Sequence, residues 1–122
     1  MHKIAFALCC AFMMLAAPAS AQTAVLRGLD KVTGHARDFN APIGRPVRYG
    51  TLEIIARSCV RTPPEEPPET KIFVEVFDHP IPRRGEERPR REVFSGWLFA
   101  SSPGVSAIEH PVYDIWAISC RA

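Results

Sequence analysis

The chain has 122 residues, with 15 Lys and Arg against 13 Asp and Glu, a formal charge of +2, and 47% hydrophobic residues. This length predicts one domain rather than several. Acidic and basic residues are interspersed along the chain, which argues against nucleic acid as a partner because phosphate binding needs a one-sided basic face.

The first 21 residues have the pattern of a secretory signal peptide. His2 and Lys3 form a short basic region, an apolar run of about 14 residues follows, and the segment ends in Ala19-Ser20-Ala21. The run is shorter than the ~20 residues that span a bilayer, so no retained transmembrane helix is expected. We therefore predict cleavage after Ala21, a periplasmic location and one mature domain, residues 22–122.

Four cysteines are present, of which Cys9 and Cys10 would leave with the leader. Cys59 and Cys120 would then be an even pair in an oxidising compartment, where disulfides persist. A bridge between them would close 61 residue steps and stabilise the fold by about 4 kcal/mol in chain-entropy terms. A domain of this size needs such reinforcement because its core is small.

Between these ends, prolines divide the chain into short segments with period-two alternation of apolar side chains, which indicates β-strands. The strongest candidates are residues 52–61, 71–78, 92–100 and 112–121, and weaker ones are residues 24–27, 33–39 and 46–48. Strict alternation places Cys59 on a face with Arg57 and Arg61, away from Leu52 and Ile54. The best helical signal, residues 106–109, is cut off by Pro111 after about one turn.

Several of these strands are apolar on both faces, as in strands that pack inside two layers or a closed sheet. We predict an all-β fold, a small single-domain β-sandwich or closed β-barrel of about six to eight short antiparallel strands with one disulfide. The pattern leaves the choice between sandwich and barrel open.

Three connections differ in character. Residues 62–70 (TPPEEPPET) predict extended polyproline-like backbone with exposed acids. Arg61, Pro64 and Pro67 there have the spacing of a proline-rich ligand, although an exported bacterial protein would not normally meet the domains that recognise it. Residues 80–91 predict a mobile, charged hairpin tip. Residues 99–111 are long and poor in charge, so they either cover the core or form a site.

Several blocks, taken in order, resemble one known family. They are Gly28-Leu29-Asp30-Lys31-Val32-Thr33, Gly50-Thr51-Leu52-Glu53-Ile54 with Arg57 and Cys59, Pro63-Pro64-Glu65-Glu66-Pro67-Pro68-Glu69, Phe94-Ser95-Gly96-Trp97-Leu98-Phe99-Ala100-Ser101-Ser102-Pro103, and Glu109-His110-Pro111-Val112-Tyr113-Asp114-Ile115-Trp116 with Cys120. Together they resemble the DUF2155 family, exported alphaproteobacterial domains of unknown function. The resemblance implies an envelope location, and it supplies no catalytic or binding residues.

The residue types that carry chemistry are sparse. His35, His79 and His110 lack a spacing typical of metal ligands and are expected at the surface or in turns, so no metal and no cofactor is predicted. Ser101 or Ser102, His110 and Asp114 contain the types found in hydrolase triads, but the chain lacks a nucleophile elbow. We therefore expect no enzymatic activity and no catalytic residue.

Aromatic side chains flank the connection at residues 99–111. Trp97, Tyr113 and Trp116 lie on the two adjacent candidate strands, and paired strands would place both tryptophans on one face. They are expected mainly in the core, and Trp97→Ala is expected to behave as a core deletion. The alternative is that Trp97, Tyr113, Trp116 and His110 open into a partner-binding groove, with Arg57 and Arg61 as weaker polar candidates.

The sequence thus favours a non-enzymatic periplasmic or cell-envelope module that binds another envelope protein or a cell-wall or outer-membrane component. Two alternatives stay open. One is a small exported inhibitor of a hydrolase, of lysozyme or protease type, that inserts residues 99–111 as a wedge. The other is a small hydrolase centred on His110 and Asp114.

Overall fold

The computed structural model describes residues 22–103 and 108–122. These residues form seven strands: β1 (Thr23–Asp30), β2 (Ala36–Pro42), β3 (Pro46–Tyr49), β4 (Leu52–Arg61), β5 (Thr70–Asp78), β6 (Arg91–Phe99) and β7 (Tyr113–Arg121). The predicted signal peptide lies outside the described residues, as do residues 106 and 107 of the predicted helical turn at residues 106–109. Within the described part of the chain, no helix is long and apolar enough to cross a membrane.

The strands form two antiparallel sheets, one with the order β2-β1-β7 and the other with the order β3-β4-β5-β6. The all-β prediction is confirmed. The strong strand candidates agree with β4 to β7 to within one residue at each end, and the weaker ones correspond to β1, β2 and β3. No hydrogen-bonded ladder joins the two sheets in the described residues, so these residues do not close into a barrel.

Between the sheets lies one core of aliphatic side chains. Its fully buried members include Leu26 and Ile115 from the three-stranded sheet and Leu52, Ile54 and Ile72 from the four-stranded sheet. Burying each such side chain stabilises the fold by about 1.5–3 kcal/mol relative to exposure. The alternation in β4, β5 and β7 therefore reflects the inward face of each sheet.

Cys59 and Cys120 form the predicted disulfide, with their Cα atoms 5.9 Å apart, and this bond joins β4 of one sheet to β7 of the other. The prediction that Cys59 shares a face with Arg57 and Arg61 is wrong. The ladder shifts register between Ala56 and Ser58, so Arg57 is an extra residue and Cys59 faces the core with Ala56.

A second bulge brings Cys120 inward in the same way. In the pairing of β1 with β7, Val25 is opposite Ser119 whereas Leu26 is opposite Ala117, which leaves Ile118 as the extra residue. Cys120 therefore lies on the core face with Ala117, which the plain alternation of the sequence does not predict. Both thiols reach the core because each strand contains one bulge.

The strand directions place the connections at two opposite ends. At one end β1 finishes at Asp30, β5 finishes at Asp78 and β7 begins at Tyr113. We call it the groove end, after the groove described in the next section. The connection between β4 and β5, residues 62–69, lies at the other end, which we call the acidic end. The prediction of extended backbone in residues 62–70 is wrong, because hydrogen bonds from Glu66 N–H to the Pro63 carbonyl and from Thr62 N–H to the Glu69 carbonyl fold the segment into a turn. The disulfide is nearer to the acidic end.

Candidate functional site

A groove of about 1020 Å³ opens at the groove end. One wall is the connection between β5 and β6, which contributes Ile81, Arg83 and Arg88. The opposite wall is the segment that leads into β7, and it includes Tyr113. The base of the groove contains two buried polar side chains, Asp78 and His110, each 7% exposed. Most of the remaining surface is apolar.

Asp78 is the centre of a polar network. Thr51 Oγ1 donates a hydrogen bond to Asp78 Oδ1 (2.6 Å), and His110 Nε2 lies 3.1 Å from Asp78 Oδ2. Arg91 approaches the same oxygen at 3.8 Å. Burial alone would raise the pKa of Asp78, but the hydrogen bonds from Thr51 and His110 and the charge of Arg91 outweigh it and lower the pKa below its usual value.

The hydrogen-bond partners of His110 define its tautomer. Nδ1 accepts hydrogen bonds from the backbone N–H groups of Val112 (3.0 Å) and Tyr113 (3.1 Å). Since Nδ1 is an acceptor, the ring proton of the neutral imidazole lies on Nε2 and is donated to Asp78. The expectation that His110 lies at the surface is wrong, because its ring is buried and both nitrogens have partners.

Hydrogen bonds to backbone carbonyl groups fix the segment around His110 to the two-sheet body. Lys31 Nζ donates to the carbonyl oxygen of His110 (2.6 Å), and the backbone N–H of Lys31 donates to the carbonyl of Val112 (2.8 Å). The N–H of His79 donates to the Thr51 carbonyl (2.8 Å). The turn between β1 and β2 and the turn between β3 and β4 therefore position the two walls of the groove.

Four rings form a continuous row behind the groove. Phe39 stacks on Tyr49 with centroids 5.3 Å apart, Tyr49 meets Tyr113 edge to face at 5.7 Å, and Tyr113 stacks on His110 at 5.4 Å. The guanidinium of Arg37 lies 5.0 Å from the Tyr49 centroid. Burial raises the pKa of Tyr49. Tyr113 also lines a smaller pocket of about 380 Å³, so the row separates two depressions at the same end.

Two glycines make room for this row. A Cβ on Gly28 would overlap the ring of Tyr49, and a Cβ on Gly50 would overlap the ring of Tyr113. Gly50 also has a positive φ of 58°, a conformation that side chains with a Cβ rarely adopt. The tyrosine positions therefore depend on the absence of side chains at these two residues.

Of the predicted partner-binding residues, the groove contains His110 and Tyr113 but neither tryptophan. Trp97 is 39% exposed on β6, where its ring meets Phe73 edge to face at 5.3 Å. Trp116 is opposite Arg27 in the other sheet and is half-buried. The expectation that the two tryptophans share a face is wrong because their strands belong to different sheets, and Trp97 is not a core residue.

The groups of the hypothetical hydrolase lie in separate places. Asp114 Oδ1 accepts a hydrogen bond from the N–H of Ile115, and the hydroxyl of Ser101 donates to Glu69 at the acidic end. The hydrogen bonds from Ser101 lower the pKa of Glu69. His110 thus has Asp78 as its acid, a residue 32 positions away that the sequence interpretation did not select.

The remaining candidates lie apart from one another and outside the groove. Arg57 Nε donates to Glu75 (3.0 Å) on the outer face of the four-stranded sheet, and Arg61 is exposed. His79 Nε2 is buried, 3.5 Å from Glu53 Oε2 without a hydrogen bond. In the described residues, no three His, Cys, Asp or Glu side chains form a cluster that could hold a metal ion. The predicted inhibitory wedge includes residues 104–107, which lie outside the described residues.

One signal in the sequence indicates that Asp78 is buried. Asp78 continues the period-two face of Ile72, Val74 and Val76, so it was in phase with buried positions. A carboxylate on a buried face needs hydrogen-bond donors. That requirement pointed to a polar network at the end of β5, although its donors come from distant segments.

Comparison with known proteins agrees with the extent of this fold. The family described as "Uncharacterized protein conserved in bacteria (DUF2155)" matches residues 24–120, which run from β1 to the second cysteine of the disulfide. The chain belongs to the DUF2155 family. The resemblance drawn from the sequence blocks is therefore confirmed.

A curated relative of this DUF2155 chain is "Uncharacterized protein RP359" of Rickettsia prowazekii (strain Madrid E). The two are 25% identical over 92 residues, which cover 75% of the present chain and 56% of the relative. The chain thus spans about half the length of that relative. No solved structure matches the chain.

Proposed function

We propose that this DUF2155 protein is an exported binding module of the bacterial envelope, and that its groove binds an anionic segment of an envelope protein. The observation that carries this proposal is the composition of the groove. Exposed arginines lie beside apolar walls, above a base in which Asp78 and His110 already satisfy each other. Such a surface offers guanidinium groups and apolar contact to a ligand from outside.

The charges around the groove favour an anion. Arg83 and Arg88 are exposed, and neither forms an ion pair among the described residues. Arg90, by contrast, is already paired with Glu53 (2.5 Å) and lies over the ring of Phe77 at 4.0 Å. Arg83 and Arg88 are therefore the groups that remain available to a ligand.

The same geometry supports binding over catalysis. A general base needs a ring nitrogen that can accept a proton from substrate or water. In His110, Nδ1 already accepts two backbone hydrogen bonds and Nε2 faces Asp78. A binding role requires no free imidazole, because the buried pair only has to hold the walls in place.

Export and the sandwich architecture are further parts of the proposal. The disulfide supports an oxidising compartment, as expected after cleavage at Ala21. Two separate sheets with a core between them support a β-sandwich, which leaves connections clustered at each end for binding.

Site-specific photo-crosslinking in the native cell tests this proposal. A photoreactive residue at Ile81, which is 71% exposed beside the groove, should give one discrete adduct. The same residue at Val32, which is 76% exposed and does not line the groove, is the matched control and should not give that adduct. The Arg83→Glu/Arg88→Glu variant should abolish the adduct at Ile81.

An adduct that persists in that variant, or that forms equally from Val32, would contradict a basic binding groove. Fractionation of the same cells tests export: the adduct and the cleaved chain should both be released with the periplasm.

A further inference from the structure

The acidic end carries the complement of the groove. Residues 62–70 contain three glutamates and no basic residue, a formal charge of −3. Residues 80–91 contain five arginines and two glutamates, a formal charge of +3. Opposite charge of equal size on two surfaces of one protein favours contact between copies.

The acidic end is also held in one conformation. The N–H of Thr62 donates to the Glu69 carbonyl (3.0 Å), and the N–H of Glu66 donates to the Pro63 carbonyl (3.0 Å). Thr62 Oγ1 donates to the carbonyl of Pro67 (3.0 Å). A segment that is already ordered loses little conformational entropy when it binds.

Two of the three glutamates in residues 62–70 remain available to bind another molecule. Glu69 is occupied by Ser101 and by the N–H of Thr70. Glu65 and Glu66 are exposed, and neither forms an ion pair with another described residue. Both carboxylates can therefore reach the arginines of another molecule.

The groove also offers apolar contact to this segment. The segment is a turn in which the N–H of Glu66 donates to the Pro63 carbonyl, and four prolines flank its two exposed glutamates. The groove provides Tyr113, Pro80, Pro89, Pro111 and Ile81 beside the arginines. The PPEEPP turn thus matches the groove in charge and brings apolar rings to its apolar walls.

The contact cannot form within one molecule. Both connections flank β5, and its nine residues separate the acidic end from the groove end by about 26 Å. A contact between the two different surfaces is therefore made between copies. Head-to-tail contacts of this kind repeat from copy to copy, whereas two reciprocal contacts would close an antiparallel pair.

We propose that the acidic segment of one copy, residues 62–70, binds in the groove of a second copy, so that the protein assembles head to tail. This inference rests on the proposed function, because it names the anionic segment that the groove binds.

Sedimentation velocity on the full chain, expressed with its own leader and purified as the cell processes it, tests the assembly. Wild type should form species that grow beyond a dimer with concentration, and association should weaken by about tenfold or more between low and high salt because the contacts are between exposed charges. The Glu65→Lys/Glu66→Lys variant and the Arg83→Glu/Arg88→Glu variant should each be monomeric.

The decisive sample is an equal mixture of these two variants. The first keeps an intact groove and the second keeps an intact acidic segment, so the mixture should form a one-to-one dimer that grows no further. The Arg48→Glu/Arg57→Glu variant carries the same change of charge as the groove variant, on exposed residues of β3 and β4 that lie outside the groove and outside residues 62–70, and should associate like wild type.

A monomeric wild type at all concentrations would overturn the inference, as would a mixture that stays monomeric. A wild type that stops at a dimer would overturn the head-to-tail arrangement. If wild type is monomeric while Ile81 still gives a charge-dependent adduct with another protein, the groove function stands and only self-assembly fails. If the adduct is absent too, both proposals fail.

Discussion

His110 and Asp78 are 32 residues apart in sequence, and they form the one pair of buried polar side chains that joins the two walls of the groove in the described structure. The pair is complete because Thr51 binds the second carboxylate oxygen and two backbone N–H groups bind the other ring nitrogen. Each member thus has its polar atoms satisfied without water or ligand, which makes the pair a structural support for the groove.

Asp78→Asn should destabilise the fold by about 1–3 kcal/mol at pH 7, since a buried charged hydrogen-bond partner is lost. The pKa of Asp78 is lowered in the folded protein, so its carboxylate contributes stability that is complete above the pKa of a free aspartate, about 3.9, and is lost as the pH falls through the folded value. Urea denaturation of both proteins from pH 7 to pH 3 should show the difference shrinking at the acid end. A difference that stays constant with pH would contradict the charged network.

Gly50→Ala should cost about 2–4 kcal/mol because the new Cβ meets the Tyr113 ring in a backbone conformation with positive φ. Gly85→Ala is the matched control: its φ is 77°, but nothing lies within 4 Å of a Cβ there, so about 1 kcal/mol is expected. In a double-mutant cycle, Tyr113→Ala should remove part of the cost at Gly50. Additive effects would show that the two residues are not in contact.

Trp97→Ala should cost only about 1–2 kcal/mol, less than expected for a core tryptophan, because the ring is 39% exposed and its main described partner is Phe73. Leu98→Ala, on the adjacent buried position of the same strand, should cost about 2–5 kcal/mol. Thermal denaturation of the two variants gives the comparison directly. The reverse order would place Trp97 in the core after all.

Cys59→Ser and Cys120→Ser should each lower the stability by about 4 kcal/mol, and by equal amounts, since either change opens the same loop of 61 residue steps. The double variant should be no less stable than the single ones, apart from small packing differences. Measurements of wild type with and without reductant should reproduce the same loss. Clearly unequal single effects would mean that the bridge is not the origin of the stability.

Deletion of Arg57 should leave the fold and the disulfide intact, because Arg57 is the extra residue of a bulge and its removal gives β4 a regular alternation with Cys59 still facing the core. Only the exposed ion pair with Glu75 is lost, which contributes less than about 1 kcal/mol. Deletion of Glu75 in β5 is the control: it reverses the inward and outward positions along part of that strand and should prevent folding. Thiol titration distinguishes the two outcomes.

Much of the fold follows from local patterns in the sequence. The alternation of Leu52 with Ile54 and of Ile72 with Val74 reports burial on one face of a sheet, and the spacing of prolines limits strand length, so strand positions were predictable. The bulges at Arg57 and Ile118 were not, since an extra residue is recognised only from the partner strand. For this reason, strict alternation places Cys59 on the wrong face of β4, although the disulfide with Cys120 is predicted correctly.

The groove was less accessible to sequence interpretation. His110 and Tyr113 were among the predicted residues, but Asp78 and Tyr49 reach them only through pairings between distant strands. The sequence predicts that residues 80–91 form an exposed hairpin tip. These residues are indeed mostly exposed, but they also form one wall of the groove. A charged connection borders a groove only if another segment lies opposite it. Here that segment is residues 110–113, which are distant in sequence from residues 80–91.

The two ends of the molecule are fastened in different ways. Near the acidic end a covalent bond between Cys59 and Cys120 holds β4 to β7, whereas at the groove end the sheets meet through rings and hydrogen bonds around His110. Contacts without a covalent bond open at a lower free energy than contacts beside one, so backbone amides at the groove end should exchange with solvent faster than those beside the disulfide.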